Sequence, residues 1–179
     1  MQLSINLRSL QGGHEHFEKQ YEPSLLKGIG GDLFRVVSPV TLSFDIDRQD
    51  TGRYQVSGHL AGELEVTCSR CLEPFMLRVA PEFDLAYVSR TENVGEGERE
   101  VEEDDLTTAF YSDDQIDLEQ LIAEQLHLAM PMKPLCSDDC RGLCPQCGTN
   151  LNLGTCSCSP QWTDPRLAAL KAFAQKSKN

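Results

Sequence analysis

Residues 40–79 read VTLSFDIDRQDTGRYQVSGHLAGELEVTCSRCLEPFMLRV, and the period of this stretch decides the fold. Val40, Leu42, Phe44 and Ile46 alternate with polar residues. Successive side chains of an extended chain point to opposite faces, so this alternation predicts a half-buried strand. Asp50-Thr51-Gly52 supplies turn chemistry, after which Tyr54, Val56, Gly58 and Leu60 resume the same period. Ala61-Gly62 reads as another turn, leading into Leu64, Val66 and Cys68. Beyond Glu73-Pro74 come Phe75, Leu77 and Val79, then Phe83, Leu85 and Tyr87. Short links between such runs predict antiparallel neighbours. The expected fold class is α+β: an antiparallel β-meander forming a small barrel or curved sheet, one main helix, and a cysteine-rich zinc-binding tail ending in a short helix.

The meander carries Cys68 and Cys71 at a tip between two strands, and the other six cysteines lie far downstream. Residues 136–158 read CSDDCRGLCPQCGTNLNLGTCSC. Spacings of C-x2-C and C-x-C let two thiolates face one ion from a tight turn, and tetrahedral zinc needs four such ligands. In Cys144-Pro145-Gln146-Cys147-Gly148 the proline sets the turn's φ, and the glycine permits a positive φ after the second ligand. Eight cysteines make two zinc sites. The economical partition gives Cys144, Cys147, Cys156 and Cys158 to a compact site within the tail. Cys68, Cys71, Cys136 and Cys140 then form a second site that bridges distant segments. Closing that long loop costs about 3–4 kcal/mol, well below the roughly 10–16 kcal/mol that structural zinc contributes. A swapped partition, with Cys68 and Cys71 joining Cys144 and Cys147, stays open. So does an iron–sulfur cluster, which also takes four thiolates.

Disulfides would need an oxidising compartment. The opening residues Met1-Gln2-Leu3-Ser4-Ile5-Asn6-Leu7-Arg8 show no charged and apolar leader pattern, so the expected location is cytoplasmic. No apolar run approaches the length of a membrane-spanning helix. The formal net charge of −12 is concentrated: twelve acids stand against one base, Arg99, between Glu92 and Glu119. The expected organisation is an N-terminal strand and loop (1–35), the β-domain (36–90), an acidic mobile loop (91–105), a strand and helix packing on the sheet (106–135), and the zinc-binding tail with its C-terminal helix (136–179). Leu3, Ile5 and Leu7 open a strand, and the glycines Gly28, Gly30 and Gly31 mark a turn. Asp117 is a helix N-cap with Gln120 three residues on, followed by Leu118, Leu121, Ile122, Gln125, Leu126 and Ala129 at helical spacing. Pro131 and Pro134 end that helix, and Asp164-Pro165 starts a last short one.

Catalytic patterns are missing from the sequence: no nucleophile elbow, HExxH or phosphate loop occurs. His14, His16, His59 and His127 are scattered, and the acidic run lacks the apolar surroundings that would raise a carboxyl pKa for acid–base work. All-thiolate sites are usually closed and structural. A non-enzymatic role is therefore expected.

Several separate blocks carry a family resemblance. They are residues 63–75 (ELEVTCSRCLEPF), Asp117-Leu118, Pro131 to Cys136, Cys140 to Gly148, Asn150 to Asn152, and residues 164–170 (DPRLAAL). From about Val36 to the carboxyl terminus the chain resembles the YceD family of bacterial and plastid proteins implicated in accumulation of large-subunit ribosomal RNA. The resemblance implies a role around 23S ribosomal RNA or ribosome assembly, and it implies no known reaction. RNA binding normally shows a basic face and stacking aromatics. Arg70, Arg141, Trp162, Arg166 and Lys171 are the candidate RNA or partner contacts, with Arg78 beside them. The expectation is a factor holding two structural Zn2+ and a ribosomal protein or pre-ribosomal RNA–protein particle, with RNA contact through the tail, and with neither membrane nor small-molecule substrate. The rival is a thiol-based redox or metal-handling protein using Cys68 and Cys71.

Overall fold

The computed structural model describes residues 3–50, 52–89 and 107–158. The acidic segment 91–105, the last short helix, and the candidates Trp162, Arg166 and Lys171 lie outside the described residues. Nine strands and one α-helix occur among those described: β1 (Ser4–Asn6), β2 (His14–Tyr21), β3 (Phe34–Val36), β4 (Val40–Asp50), β5 (Arg53–Thr67), β6 (Pro74–Val79), β7 (Glu82–Ser89), β8 (Thr108–Tyr111), β9 (Gln115–Asp117) and α1 (Leu118–Ala129). Among the described residues no helix is long and apolar enough to cross a membrane.

β5 is the axis of the sheet. Its first half pairs with β4 on one edge and β7 on the other, as Val56 opposite both Ile46 and Leu85 shows. Its second half pairs with β3 and β6, so that Leu64 faces both Val36 and Leu77. The turn expected at Ala61-Gly62 does not form. Tyr54, Val56, Gly58, Leu60, Gly62, Leu64, Val66 and Cys68 share one phase, and a turn there would have broken it. Gly62 instead lets Val40 lie close, since a Cβ built there would stand 3.1 Å from Val40 Cγ2. Gly58 does the same for Phe44, whose Cβ lies 2.6 Å from where its own Cβ would be.

The strand order β2-β4-β5-β7-β8 leaves β2 and β8 as edges, so the sheet is open. The expected barrel closure is therefore corrected. Closure requires the two edge strands to pair, and β8 instead pairs parallel with β7 at Ala86↔Thr108 through Ser89↔Tyr111. β6 and β7 do not pair with each other either, because both are taken by β5. β2, opposite β4 from His14↔Asp47 to Tyr21↔Val40, is an addition to the expected strands.

α1 begins as its sequence predicts. Asp117 accepts hydrogen bonds from the N–H groups of Glu119 (2.9 Å) and Gln120 (3.2 Å). Gln120 does not reciprocate as a capping box would, since its side-chain amide donates to Glu124 Oε1 at 2.8 Å. Leu118, Leu121, Ile122, Gln125 and Leu126 are the buried face. The four apolar ones join Val40, Leu42, Phe44, Ile46, Tyr54, Val56, Leu60 and Leu64 in one core. Tyr87 shares it, and burial first, then the charges of Glu124 and Asp117, push its phenol pKa up. This core matters for the cysteines because it fixes both ends from which they hang: the end of β5 and the end of α1.

Candidate metal centres

The eight cysteines gather into two quartets, Cys68-Cys71-Cys136-Cys140 and Cys144-Cys147-Cys156-Cys158, with the four sulfurs of each within 4.8 Å of one another. This is the economical partition, and the swapped one does not occur. Four ligands at 2.3 Å from a tetrahedral ion stand about 3.8 Å apart along each edge. Cys68 Sγ to Cys140 Sγ and Cys71 Sγ to Cys136 Sγ are both 3.7 Å. The sulfurs are thus spaced for a single ion between them.

Two knuckles of the same construction build the halves of these centres. In the first, Cys68 N–H donates to Glu73 O (2.9 Å) and Leu72 N–H donates to Cys68 O (3.0 Å). In the second, Cys144 N–H donates to Thr149 O and Gly148 N–H to Cys144 O, both at 2.9 Å. The residue after the second cysteine takes positive φ in each: 72° at Gly148, as expected, and 60° at Leu72. A leucine there carries strain that glycine does not. It is also 62% exposed, so its side chain gains little in return from packing.

Centre 1 is delivered by the strand phase of β5 and by the proline-stopped end of α1. Cys68, Cys71 and Cys140 form a small buried cluster with Phe75 and Leu135 packed against it, while Cys136 is exposed. Ser69 N–H reaches Pro134 O at 2.8 Å, and Cys136 N–H points at Cys68 Sγ at 3.4 Å. Centre 2 is peripheral, with Cys144 buried, Cys147 exposed and Cys156 and Cys158 half-buried.

The titration pattern divides each quartet in two. Burial pushes the Cys68 thiol up, but backbone donors from Cys71, Cys136 and Arg70 together outweigh it and hold the thiol near 6. Cys140 is lowered first by the Asn152 side-chain donor. Cys136 is pushed up to about 12, chiefly by its contact with Cys140 and then by burial, and Cys71 is also raised. In centre 2, Cys147 falls to about 6, mainly through the Thr149 hydroxyl, and Cys144 falls through backbone donors from Cys147 and Gln146. Cys158 rises to about 12 beside Cys147, and Cys156 rises as well. Four thiolates this close repel one another, so protons stay on two of them until a cation replaces those protons.

Of the candidate contacts, Arg70 has its guanidinium committed to Cys140 O (3.0 Å) and Asp138 O (3.4 Å). Arg141 is exposed, its backbone N–H donating to Asn152 Oδ1 at 2.7 Å. Arg78 pairs with Glu63 at 2.8 Å, and Arg35 pairs with Glu65. His14 and His16 both turn to cross-strand carboxylates, with Nδ1 of His14 2.7 Å from Asp47 and Nδ1 of His16 2.8 Å from Asp45, and with His14 Nε2 3.6 Å from the same Asp45 oxygen. An open hollow of about 460 Å³ lined by Ser57, His59, Glu82 and Asp84 shares no residue with either quartet.

The cysteine blocks and most of β5, the strand that leads to the first of them, lie inside the region, residues 56–174, that matches the family model for the large ribosomal RNA subunit accumulation protein YceD. The chain belongs to the YceD family. A YCED homolog of the maize chloroplast, named as a large ribosomal RNA subunit accumulation protein, is 26% identical over 147 residues, covering 69% of this chain and 50% of that protein. An uncharacterized Mycobacterium tuberculosis protein is 32% identical over 124 residues, 69% of this chain and 58% of its own length. YlbN of Bacillus subtilis, also uncharacterized, is 29% identical over 165 residues, 89% of this chain and 88% of that one. The chain thus spans little more than half the length of the first two YceD relatives. No solved structure matches it.

Sequence reading missed Asn150 and Asn152, which reach from the loop of centre 2 toward centre 1. The available signal was an Asn-x-Asn pair in the link between two ligands, where short amide side chains bond back to a turning backbone.

Proposed function

We propose that this chain is a non-enzymatic, zinc-binding factor of ribosome biogenesis. It supports accumulation of large-subunit ribosomal RNA by holding a ribosomal protein or a pre-ribosomal particle in the cytoplasm. The observation that carries this reading is the pair of all-thiolate quartets, each supplying four ligands at single-ion spacing. A tetrahedral ion so bound keeps no open position for substrate or water, which is the mark of a structural site, and zinc is the ion that such sites most often take. The ions then hold a rigid platform for a partner. Membership of the YceD family supplies the ribosomal context.

The partner is a basic protein in preference to bare RNA. The chain's net charge of −12 attracts basic surfaces and repels phosphate, and Arg35 and Arg78 are each matched by a glutamate. The redox reading finds little support, because Cys68 and Cys71 are 0% and 3% exposed, and a reactive thiol needs access to its oxidant.

Affinity capture of the protein from growing cells, with and without RNase, tests the proposal. A ribosomal protein or large-subunit precursor should be retained, and its protein component should survive RNase. Absence of any ribosomal component would overturn the proposal. Metal analysis should give two zinc ions per chain, whereas labile metal with a reversible Cys68–Cys71 disulfide would favour the redox reading.

A further inference from the structure

We infer that the two metal centres are energetically coupled, and that Asn152 is the positioning residue that couples them. Asn152 sits in the link between Cys147 and Cys156, so filling centre 2 pins both ends of the segment that carries it. From there its side-chain amide donates to Cys140 Sγ of centre 1 at 3.3 Å. Its other amide atom, Oδ1, accepts from the backbone N–H of Arg141 at 2.7 Å, which orients the donor nitrogen toward the sulfur. Asn150 braces it: Asn150 Oδ1 accepts from Asn152 N (3.0 Å) and Asn152 Nδ2 (3.1 Å), and Asn150 Nδ2 donates to Glu73 Oε1 at 3.3 Å. Leu151 N–H to Gly142 O (2.9 Å) and Leu143 N–H to Arg70 O (3.2 Å) lay the same segment along the first knuckle.

With centre 2 empty, the link from Gly148 to Thr155 keeps its bonds at Thr149, Asn150 and Leu151 but loses the anchor at Cys156, and ordering the freed backbone opposes presentation of the donor. With centre 2 filled, the donor meets a ligand sulfur in a buried site and stabilises its thiolate form. A donor to a metal ligand of this kind is worth about 10–100-fold in metal affinity. Coupling of binding free energies is reciprocal, so an ion in centre 1 strengthens centre 2 by the same factor.

The inference rests on the reading that each quartet holds one ion, and the two can fail separately. Wild-type protein without two bound ions sinks that reading. Wild-type protein with two ions but independent affinities sinks only the coupling. The experiment is a double-mutant cycle on the full chain, with Zn2+ affinities measured by competition against a chromophoric chelator and site geometry followed by the absorption of Co2+ in the thiolate sites. Centre 2 is disabled by Cys156→Ser together with Cys158→Ser. The donor is removed by Asn152→Asp, which keeps the shape and the acceptor for Arg141, and in parallel by Asn152→Ala. Disabling centre 2 should weaken centre 1 about 10–100-fold when Asn152 is present and less than about threefold when it is replaced. Disabling centre 1 by Cys71→Ser should weaken centre 2 by the matching factor. Far-UV circular dichroism identifies any variant whose sheet is lost, and the other asparagine variant then completes the cycle. Centre 1 affinity that ignores the state of centre 2, or that drops equally in both Asn152 backgrounds, would overturn the inference.

Discussion

Cys71→Ser tests how much of the tail's attachment depends on the first ion. Cys71 and Cys136 are 65 residues apart in sequence. Were nothing else holding them, closing a loop of that length would cost about 3.7 kcal/mol from its logarithmic dependence on length. The core removes most of that. Leu118, Leu121, Ile122 and Leu126 are fully buried, so α1 is docked with or without the ion. The tail hangs from Ala129, seven residues before Cys136, and reclosing so short a link costs about 1.7 kcal/mol. Two backbone bonds survive the substitution, Ser69 N–H to Pro134 O and Leu143 N–H to Arg70 O, each worth about 1 kcal/mol. With the Arg70 bonds to Cys140 O and Asp138 O and the Asn150 bond to Glu73 also surviving, the tail should remain only marginally docked and exchange with a free state. Metal content should fall from two ions to one, with the retained ion in centre 2. Hydrogen exchange should show lost protection at the Ser69 and Leu143 amides, and limited proteolysis should cut between Met130 and Leu135. The thermal transition of the sheet should move by only a few degrees. Retention of both ions, loss of the Cys144-centred ion instead, or collapse of the sheet transition would refute this reasoning.

Three further outcomes follow from the same geometry. Two thiols of each quartet have raised pKa values, Cys136 and Cys158 to about 12, so they keep their protons at neutral pH and each ion must displace at least two. Metal binding therefore strengthens as pH rises, by at least about 100-fold per unit between pH 7 and 8 in a competition titration, and a dependence of one proton or fewer would contradict it. Chelator should strip centre 2 before centre 1, because Cys147 is exposed whereas Cys68, Cys71 and Cys140 are buried. Biphasic decay of the cobalt spectrum is the readout, and faster loss from the first centre would be the contrary result. Leu72→Gly should raise centre 1 affinity about fivefold by releasing roughly 1 kcal/mol of left-handed strain, and Gly148→Leu, at a site with open space around it, should lower centre 2 affinity by a similar factor. Equal signs for the two substitutions would show that φ is not what distinguishes them.

Which neighbouring cysteines act together was legible because ligand spacing is local: C-x2-C and C-x-C fix which sulfurs can share a turn, whereas which pairs share a quartet depends on contacts between distant segments and stayed open. The strand faces from Val40 to Val79 were legible for the same kind of reason, since period two is written residue by residue. What failed lay between elements. Ala61-Gly62 has the composition of a turn, but Gly62 serves the close approach of Val40, a contact between strands that no local pattern records. β2 escaped notice because its inward face, Glu15, Phe17, Lys19 and Tyr21, is only half apolar. Whether edges meet to close a barrel depends on pairing partners, and alternation carries no information about those. Asn152 was quoted as part of a motif, yet its bond to Cys140 exists only once both knuckles are folded.

Cys68 stands one residue past the end of β5, so the strand sets the side on which the knuckle opens. Because Tyr54 through Cys68 keep one phase along β5, an insertion of one residue anywhere in that run would turn the sulfur to the opposite side of the sheet. Evolution can lengthen β5 only in steps of two without forfeiting the ligand. The same arithmetic acts each time the chain folds. A molecule that zips β5 against β4 one residue out of step presents a serine or a threonine where the thiolate belongs, and the ion cannot lock it. An ion held by centre 1 would act as a proofreader of strand register, and refolding in the presence of chelator should then accumulate the misaligned product.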